Sequence, residues 1–269
     1  MLADMHTHSK HSHDSKCEIE DMLLSQLEKG TSIFAVTNHF DVDMHDVYDI
    51  VTPIVDSIKE VKALREKYSD RCRVLSGYEI SEGFWYPDFY KGISLDVDVV
   101  IGSVHCVSNV PDTRPYSQID FSTYTEDELY AYLEAYFNDF ITMFETTDFD
   151  ILAHLTCPLR YIVGIHKRHI DISRFDKKID EILNRTIKGD KAFEINTSSY
   201  HLLDDFMPTA KIVGRYRELG GRLVTLGSDA HVPENASIQF DKAYDLVKRL
   251  GFENICYYEN RTPHIIEVK

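Results

Sequence analysis

Two short stretches decide the fold: DMHTH at residues 4–8, near the start of the chain, and GSDAH at residues 227–231, near its end. Each follows a short apolar run and carries two potential metal-binding side chains at positions i and i+2. Because alternate residues of a strand point to the same side, His6 and His8 can bind one ion together. The aspartate and histidine that end the second stretch repeat this geometry. The two stretches become neighbours if the first and last strands close a parallel barrel.

Strand-like and helix-like patterns alternate along the whole chain. Short apolar runs rich in β-branched residues are typical of buried strands, and the segments between them carry apolar residues at helical spacing. About seven such alternations, with no Ser/Gly/Pro-rich linker between them, predict a single α/β domain over residues 1–269. The parallel sheet could be open or closed, and the polar residues at its strand ends favour a barrel.

The expected elements follow from these patterns. Strands are predicted near residues 2–6, 33–37, 73–78, 97–104, 149–153, 191–195 and 222–227. Helices are predicted over residues 18–29, 51–68, 125–146, 174–188, 208–219 and 236–250. A long loop is expected at residues 106–124, and a terminal strand or hairpin at residues 255–268.

The charge balance excludes several classes of protein. The chain of 269 residues has 29 Lys and Arg against 45 Asp and Glu, which gives a net charge of −16. Such a surface repels phosphate backbones, so we expect no nucleic-acid partner. No apolar run approaches the roughly 18 residues that span a bilayer, so we expect no membrane contact.

The cysteines indicate the compartment. Five scattered cysteines without a C-x-x-C pair are typical of reduced thiols, and the first residues lack the pattern of a signal peptide. We therefore expect a cytoplasmic protein. The sequence leaves the oligomeric state open.

Six of the 13 histidines fall at or just beyond the C-terminal end of a predicted strand. In a parallel barrel these ends open onto the face where active sites are built, and Glu79 occupies the same place on the third strand. A single histidine there is more often structural, but six of them with Glu79 and Asp229 predict a metal centre. Imidazole and carboxylate ligands without thiolates suit zinc, manganese or iron. The six are His6, His8, His39, His105, His154 and His231.

These residues resemble the motifs of the PHP (polymerase and histidinol phosphatase) superfamily of metal-dependent phosphoesterases. Within it, the chain looks most like the stand-alone histidinol-phosphate phosphatases, because of its length and of Pro158-Leu-Arg160 and Phe193-Glu-Ile-Asn196-Thr. The pieces that match the superfamily are Asp4-Met-His6-Thr-His8 with Ser12, Thr37-Asn38-His39, Gly77-Tyr-Glu79, Ser103-Val-His105, Ala153-His154 and Gly227-Ser-Asp229-Ala-His231.

The resemblance implies a distorted (β/α)7 TIM-like barrel that holds two or three divalent metal ions. Its ligand sets would be His6, His8, Glu79 and Asp229 for one metal, and His105, His154 and a shared Glu79 for a second. A third metal would take His39, His231 and a residue in the loop after the first strand. For that residue we choose Asp14 and keep His13 as the alternative; if neither binds, the site holds two metals.

The resemblance also implies an activity: hydrolysis of the small phosphomonoester L-histidinol phosphate to L-histidinol and phosphate, in histidine biosynthesis. Metal-activated water would attack phosphorus directly, without a phosphoenzyme. Arg160 and Asn196 would contact the substrate, with Arg160 donating to the phosphoryl oxygens. Asp229 or a metal-bound water would supply the proton that the leaving alkoxide needs.

Other activities remain open at this point. One is a PHP-type phosphoesterase acting on another small phosphate or on nucleotide ends. Another is an amidohydrolase-like C–N hydrolase, which also uses histidines at the strand ends of a barrel. A non-enzymatic metal-binding module is the third.

Overall fold

Seven parallel strands form one sheet that curves into a nearly closed barrel, in a computed structural model that describes residues 1–268. Neighbours in the sheet are neighbours in sequence, in the order β1 to β7, as a repeated strand–helix unit requires. The strands are β1 Leu2–Asp4, β2 Thr31–Asp41, β3 Arg73–Ser81, β4 Val99–Ser103, β5 Ile151–Leu152, β6 Ala192–Asn196 and β7 Val224–Gly227.

The first and last strands meet, as the DMHTH and GSDAH stretches at residues 4–8 and 227–231 predict. The amide N–H of Met5 donates to the carbonyl oxygen of Leu226 at 2.9 Å. The amide N–H of Asp229 donates to the carbonyl oxygen of His6 at 2.8 Å. Thr7 and Ala230 form an isolated parallel β-bridge just beyond the strand ends. The predicted α/β fold, a distorted (β/α)7 TIM-like barrel, is therefore confirmed.

Amphipathic helices follow most strands and cover the outside of the barrel. The longest begins at a capping box, in which Thr125 and Glu128 each accept the other's backbone N–H. No helix within residues 1–268 is long and apolar enough to cross a membrane. The helices are α1 Ile19–Glu28, α2 Val51–Lys67, α3 Pro87–Lys91, α4 Glu126–Thr146, α5 Asp176–Lys188, α6 Tyr200–Leu203, α7 Ala210–Glu218 and α8 Phe240–Arg249.

Two short α-helices and one π-helical turn are among the elements that the periodicity does not anticipate. Helices α3 and α6 have five and four residues, too few to show a helical repeat in sequence. A π-helical turn, Arg160–Ile165, follows β5 and places Arg160 at its first residue. Short elements of this kind are set by the loops that hold them, because a single turn has little stability of its own.

A C-terminal hairpin covers the barrel end opposite the histidines. Its strands, β8 Asn254–Glu259 and β9 Thr262–Glu267, are antiparallel and agree with the expected terminal hairpin. The tip of the hairpin pairs with residues just before β4 and β5: the N–H of Arg261 donates to the carbonyl oxygen of Asp98 at 2.8 Å, and its guanidinium donates to Asp150. One hydrophobic core includes residues of both barrel and hairpin. The last residue of the predicted domain 1–269, Lys269, lies outside the described residues.

Candidate active site

The predicted site residues meet in one cavity at the C-terminal ends of the barrel strands. Its volume is about 940 Å³, within the usual range for small-molecule sites. Glu79, His39, His105, His154, Asp229 and His231 all line it, together with Asp14 and Arg160. His6 and His8 lie beneath them, fully buried.

Glu79 is the centre of the arrangement. It lies on β3 with no exposed surface, and ring nitrogens of five histidines surround its two carboxylate oxygens. Oε1 lies 2.8 Å from Nε2 of His154 and 3.2 Å from Nε2 of His105. Oε2 lies 3.1 Å from Nδ1 of His39, 3.3 Å from Nε2 of His6 and 3.6 Å from Nε2 of His8.

The stretches at residues 4–8 and 227–231 supply a second group of side-chain atoms that converge. Nε2 of His6 and Nε2 of His8 lie 3.1 Å apart, because both rings project from the same side of the chain after β1. Oδ1 of Asp229 lies 3.2 Å from Nε2 of His8 and 3.8 Å from Nε2 of His6. Asp229 has a left-handed φ of 52°, which turns its carboxylate towards these rings. Three of the predicted ligands, His6, His8 and Asp229, thus converge beside Glu79.

The loop after β1 brings Asp14 to the remaining two histidines. Oδ2 of Asp14 lies 3.0 Å from Nε2 of His231 and 3.4 Å from Nε2 of His39. His13 lies at the edge of the same cavity: its side chain is 69% exposed, its Nδ1 lies 3.4 Å from Oδ2 of Asp41, and its ring centroid lies 5.2 Å from that of His39. The geometry favours Asp14 over His13, and a role of either as a metal ligand stays a prediction.

Glu194 is a site residue that the sequence argument missed. Its Oε1 lies 2.6 Å from Nδ1 of His6, and its Oε2 accepts the backbone N–H of His154 at 2.7 Å. It therefore fixes the ring of one histidine and the backbone of another. The signal was available, because Glu194 and Asn196 stand at i and i+2 at the end of β6, as His6 and His8 do after β1.

Asp41, at the end of β2, is a further neighbour of the centre. Its Oδ1 lies 3.4 Å from Nδ1 of His105 and 3.8 Å from Nδ1 of His39, and it accepts a hydrogen bond from the hydroxyl of Ser81 at 2.7 Å. Burial alone would raise the pKa of Asp41, but the adjacent imidazoles of His39 and His105 hold it below its usual range.

Several buried polar atoms of the centre lack hydrogen bonds. Within residues 1–268, Oε2 of Glu79, Nδ1 of His39 and Nε2 of His231 have no hydrogen-bonding partner, although other nitrogens and oxygens of the cluster lie close to them. Buried polar atoms are normally satisfied, so atoms that converge without bonding need another partner. Imidazole and carboxylate donors without a thiolate fit divalent zinc, manganese or iron.

Burial alone would lower the pKa of His6, His39, His105 and His231, but the carboxylates around them raise it. Glu79 and His8, in contrast, are held in the forms that bind metal. Burial alone would raise the pKa of Glu79, but His6 and His105 beside it hold that pKa well below its usual range. Burial and the nearby imidazole of His231 lower the pKa of His8 to about 3. Metal binding requires the ionised carboxylate and the neutral imidazole.

The two predicted substrate contacts, Arg160 and Asn196, differ in burial, and of the two only Arg160 lines the cavity. The guanidinium of Arg160 donates to the hydroxyls of Ser198 and Ser199, and its Nη2 lies 3.8 Å from Oδ2 of Asp229. Asn196 is fully buried, and its Oδ1 accepts the hydroxyl hydrogen of Ser198 at 2.6 Å. It is therefore placed to position Ser198 and, through it, Arg160. Direct contact of Asn196 with a substrate stays a prediction.

Residues 4–198 of the chain match the PHP domain. The chain belongs to the PHP family. The match ends before residues 227–231, but the PHP barrel returns Asp229 and His231 to the same site through its last strand. The resemblance read from the motifs is confirmed at the level of the family.

Curated relatives of this PHP-family protein cover it almost completely. It is 30% identical over 258 residues to the probable histidinol-phosphatase of Thermotoga maritima, with 94% of each chain covered. It is 28% identical to the probable histidinol-phosphatase of Clostridium acetobutylicum, with 97% of this chain and 98% of the relative covered. Its fold is similar to a crystal structure of histidinol phosphate phosphatase from Lactococcus lactis complexed with zinc, L-histidinol and phosphate (TM-score 0.77, 21% identity, 98% of both chains).

Gly227 is one of the positions at which this PHP barrel has no room for a side chain. A Cβ atom there would lie 2.1 Å from Oε1 of Glu194 and 2.8 Å from Cβ of His6. Since Glu194 fixes His6, Gly227→Ala is expected to destabilise the fold by about 1–3 kcal/mol and to lower phosphatase activity about tenfold. Urea unfolding and initial rates of phosphate release measure both effects.

Gly214→Ala is the matched control. A Cβ atom at Gly214, inside α7, would make only an ordinary contact of 3.4 Å with Leu250. It should leave activity unchanged and raise the free energy of unfolding by about 0.5–1 kcal/mol, because alanine favours helix. A Gly227→Ala protein as stable and active as the wild type would contradict the close packing.

Proposed function

We propose that this protein is an L-histidinol-phosphate phosphatase, which hydrolyses L-histidinol phosphate to L-histidinol and phosphate in histidine biosynthesis. The observation that carries the proposal is the contact of Glu79 with five histidines at the floor of a cavity that Arg160 also lines. Curated relatives that match almost the whole chain are named histidinol-phosphatase, which supports the same substrate.

The site would hold two or three divalent ions, zinc, manganese or iron. When bound, such ions supply positive charge to phosphoryl oxygens and make nearby water more acidic. Zinc is present in the similar histidinol phosphate phosphatase structure from Lactococcus lactis. The ligands we assign are His6, His8, Asp14, His39, Glu79, His105, His154, Asp229 and His231.

The protein's own groups orient the phosphate and move the proton. Arg160, held by the hydroxyls of Ser198 and Ser199, presents its remaining N–H groups to the phosphoryl oxygens. The carboxylate of Asp229 accepts a proton from the attacking water at Oδ2, beside Arg160, and passes it to the leaving alkoxide oxygen. Phosphorus is attacked by water directly, so no residue of this chain becomes phosphorylated.

Arg160→Lys is expected to raise KM for L-histidinol phosphate about 10- to 100-fold. Lysine keeps the charge but loses the planar pair of donors, and hydrogen bonds to charged groups contribute about 1.5–3 kcal/mol. Steady-state kinetics with phosphate detection measures the change. Arg114→Lys, at an arginine that pairs with Asp112 and whose side chain is 60% exposed, is the control and should have wild-type kinetics. An unchanged KM in Arg160→Lys would remove the arginine from phosphate binding.

The substrate is tested by comparing kcat/KM for L-histidinol phosphate with that for a panel of phosphomonoesters, single-stranded oligonucleotides and C–N hydrolase substrates. We expect L-histidinol phosphate to be preferred over every other compound by a factor of about ten or more. Preference for another small phosphate or for nucleotide ends would replace the proposed substrate. Release of amine without phosphate would indicate a C–N hydrolase, and inactivity with every metal would favour a metal-binding module.

We place the protein in the cytoplasm, without a nucleic-acid partner. All five cysteines are free and buried, as expected of a protein folded under reducing conditions. Fractionation of cells that produce the protein, followed by immunodetection, tests the location.

A further inference from the structure

A second cluster of polar side chains lies in the same cavity, beside the metal centre. Asp43, Glu82 and Cys106 place one carboxylate oxygen each and a thiol sulfur within 4.8 Å of one another, and we call them the acidic recess. The Cys106 sulfur lies 3.6 Å from Oδ2 of Asp43. The proposed mechanism uses none of the three.

Glu82 is the best-held member of the acidic recess. It is only 1% exposed, and its Oε1 accepts the backbone N–H of His105 at 2.6 Å and that of Cys106 at 2.9 Å. Its Oε2 has no hydrogen-bonding partner anywhere in the described chain. A buried carboxylate oxygen without a donor is costly, so this atom is suited to a donor that arrives with a ligand.

The recess also lacks a permanent cation. Among residues 1–268, no lysine or arginine forms an ion pair with Asp43 or Glu82, whereas Asp98 and Asp150 elsewhere in the barrel pair with Arg65 and Arg261. The cavity is therefore polarised. Arg160 and the metal ligands form one end, which suits a phosphate, and two unpaired carboxylates form the adjacent wall.

We propose that the acidic recess binds the protonated primary amine of the substrate. This inference rests on the proposed function, because L-histidinol phosphate carries an ammonium group on the carbon next to its phosphate ester. The ammonium is thus only a few bonds from phosphorus, and Glu82 contacts the backbone of His105, a residue of the metal centre. An ammonium has three N–H donors, which match the free oxygen of Glu82 and the carboxylate of Asp43.

The test compares L-histidinol phosphate with its analogue that lacks the amine, in the wild type and in Glu82→Gln and Asp43→Asn. Glutamine keeps an oxygen for the two N–H groups that Glu82 accepts, so Glu82→Gln removes the acidic group with little change of structure. We expect the ratio of kcat/KM between the amine and deamino substrates to fall at least about tenfold in both variants. Most of the change should be in KM for L-histidinol phosphate.

Asp56→Asn is the matched control, because Asp56 is an exposed carboxylate at the rim of the same cavity. Its ratio should stay within about twofold of the wild type, since an exposed charge is screened. Thermal melting and metal content are measured for all variants. Two folded variants that keep the wild-type ratio would overturn the assignment of the recess.

Two further outcomes have separate meanings. Variants that lose bound metal and both activities in parallel would show that the recess is a further metal site, which overturns amine binding. A wild-type protein that hydrolyses neither L-histidinol phosphate nor its deamino analogue, but hydrolyses other phosphate esters, would refute the proposed function and with it the amine assignment. If both substrates are hydrolysed and the variants keep the wild-type ratio of kcat/KM between them, the assignment of the recess is refuted but the proposed function is not.

Discussion

Replacing Glu79 with alanine is expected to lower kcat/KM for L-histidinol phosphate at least about a thousandfold. Within residues 1–268, Glu79 is the one carboxylate in contact with rings from all three predicted ligand sets, so its loss is expected to affect every metal at once. Without it, five imidazoles face each other with less negative charge between them, which weakens the binding of cations. The measurements are initial rates of phosphate release and metal content per chain by mass spectrometry.

Two variants make the result specific. Glu79→Gln keeps the size of the side chain but loses its charge, and it should lose metal and activity nearly as strongly as Glu79→Ala. Glu145→Ala removes an exposed glutamate that pairs with Arg185 on the helical surface, and it should keep full activity. A folded Glu79→Ala protein that retains both its metals and its turnover would remove Glu79 from the centre.

Removal of metal by a chelator is expected to abolish phosphatase activity, with a loss of about 100-fold or more, and to lower the melting temperature by about 5 °C or more. The stability effect arises because metal binds the folded site, whose ligands come from six strand ends, and not the unfolded chain. Dialysis against a chelator, followed by activity assays and thermal melting, gives both quantities.

Re-addition separates metal loss from damage to the protein. Zinc, manganese and iron(II) added singly to the chelated protein should restore activity and melting temperature together, whereas magnesium should restore less because imidazole is a poor ligand for it. Chelated protein with full turnover and less than about a tenth of a metal ion per chain would contradict a metal-dependent mechanism.

The sequence predicts the barrel well where strands end in the polar residues that are predicted metal ligands. Apolar runs locate all seven strands, but β2 extends to Asp41, beyond the predicted residue 37. The reason is that Thr37, Asn38 and His39 are polar, and their pairing with β3 depends on a neighbouring strand that no local pattern reveals. Strand β5 has only two residues, because its chain turns away as soon as His154 is reached.

The candidate site is predictable in its ligands and less so in the residues that support them. His6 and His8 stand out by their spacing, whereas Glu194 and Asp41 act through contacts with residues distant in sequence. Buried Asn196 shows the same limit, because its motif gives no sign that it faces Ser198. The shape of the acidic recess depends on the fold, since Asp43, Glu82 and Cys106 come from three separate strand-end loops that only the barrel brings together.

The contact between β1 and β7 has a consequence for how the protein is made. The nascent chain carries His6 and His8 out of the ribosome long before Asp229 and His231 have been synthesised, so the centre cannot assemble during most of translation. Pairing of segments so distant in sequence is slow compared with the formation of local helices. We therefore expect metal to be acquired after chain release, and translation arrested before residue 224, where β7 begins, to give a chain without the stable centre.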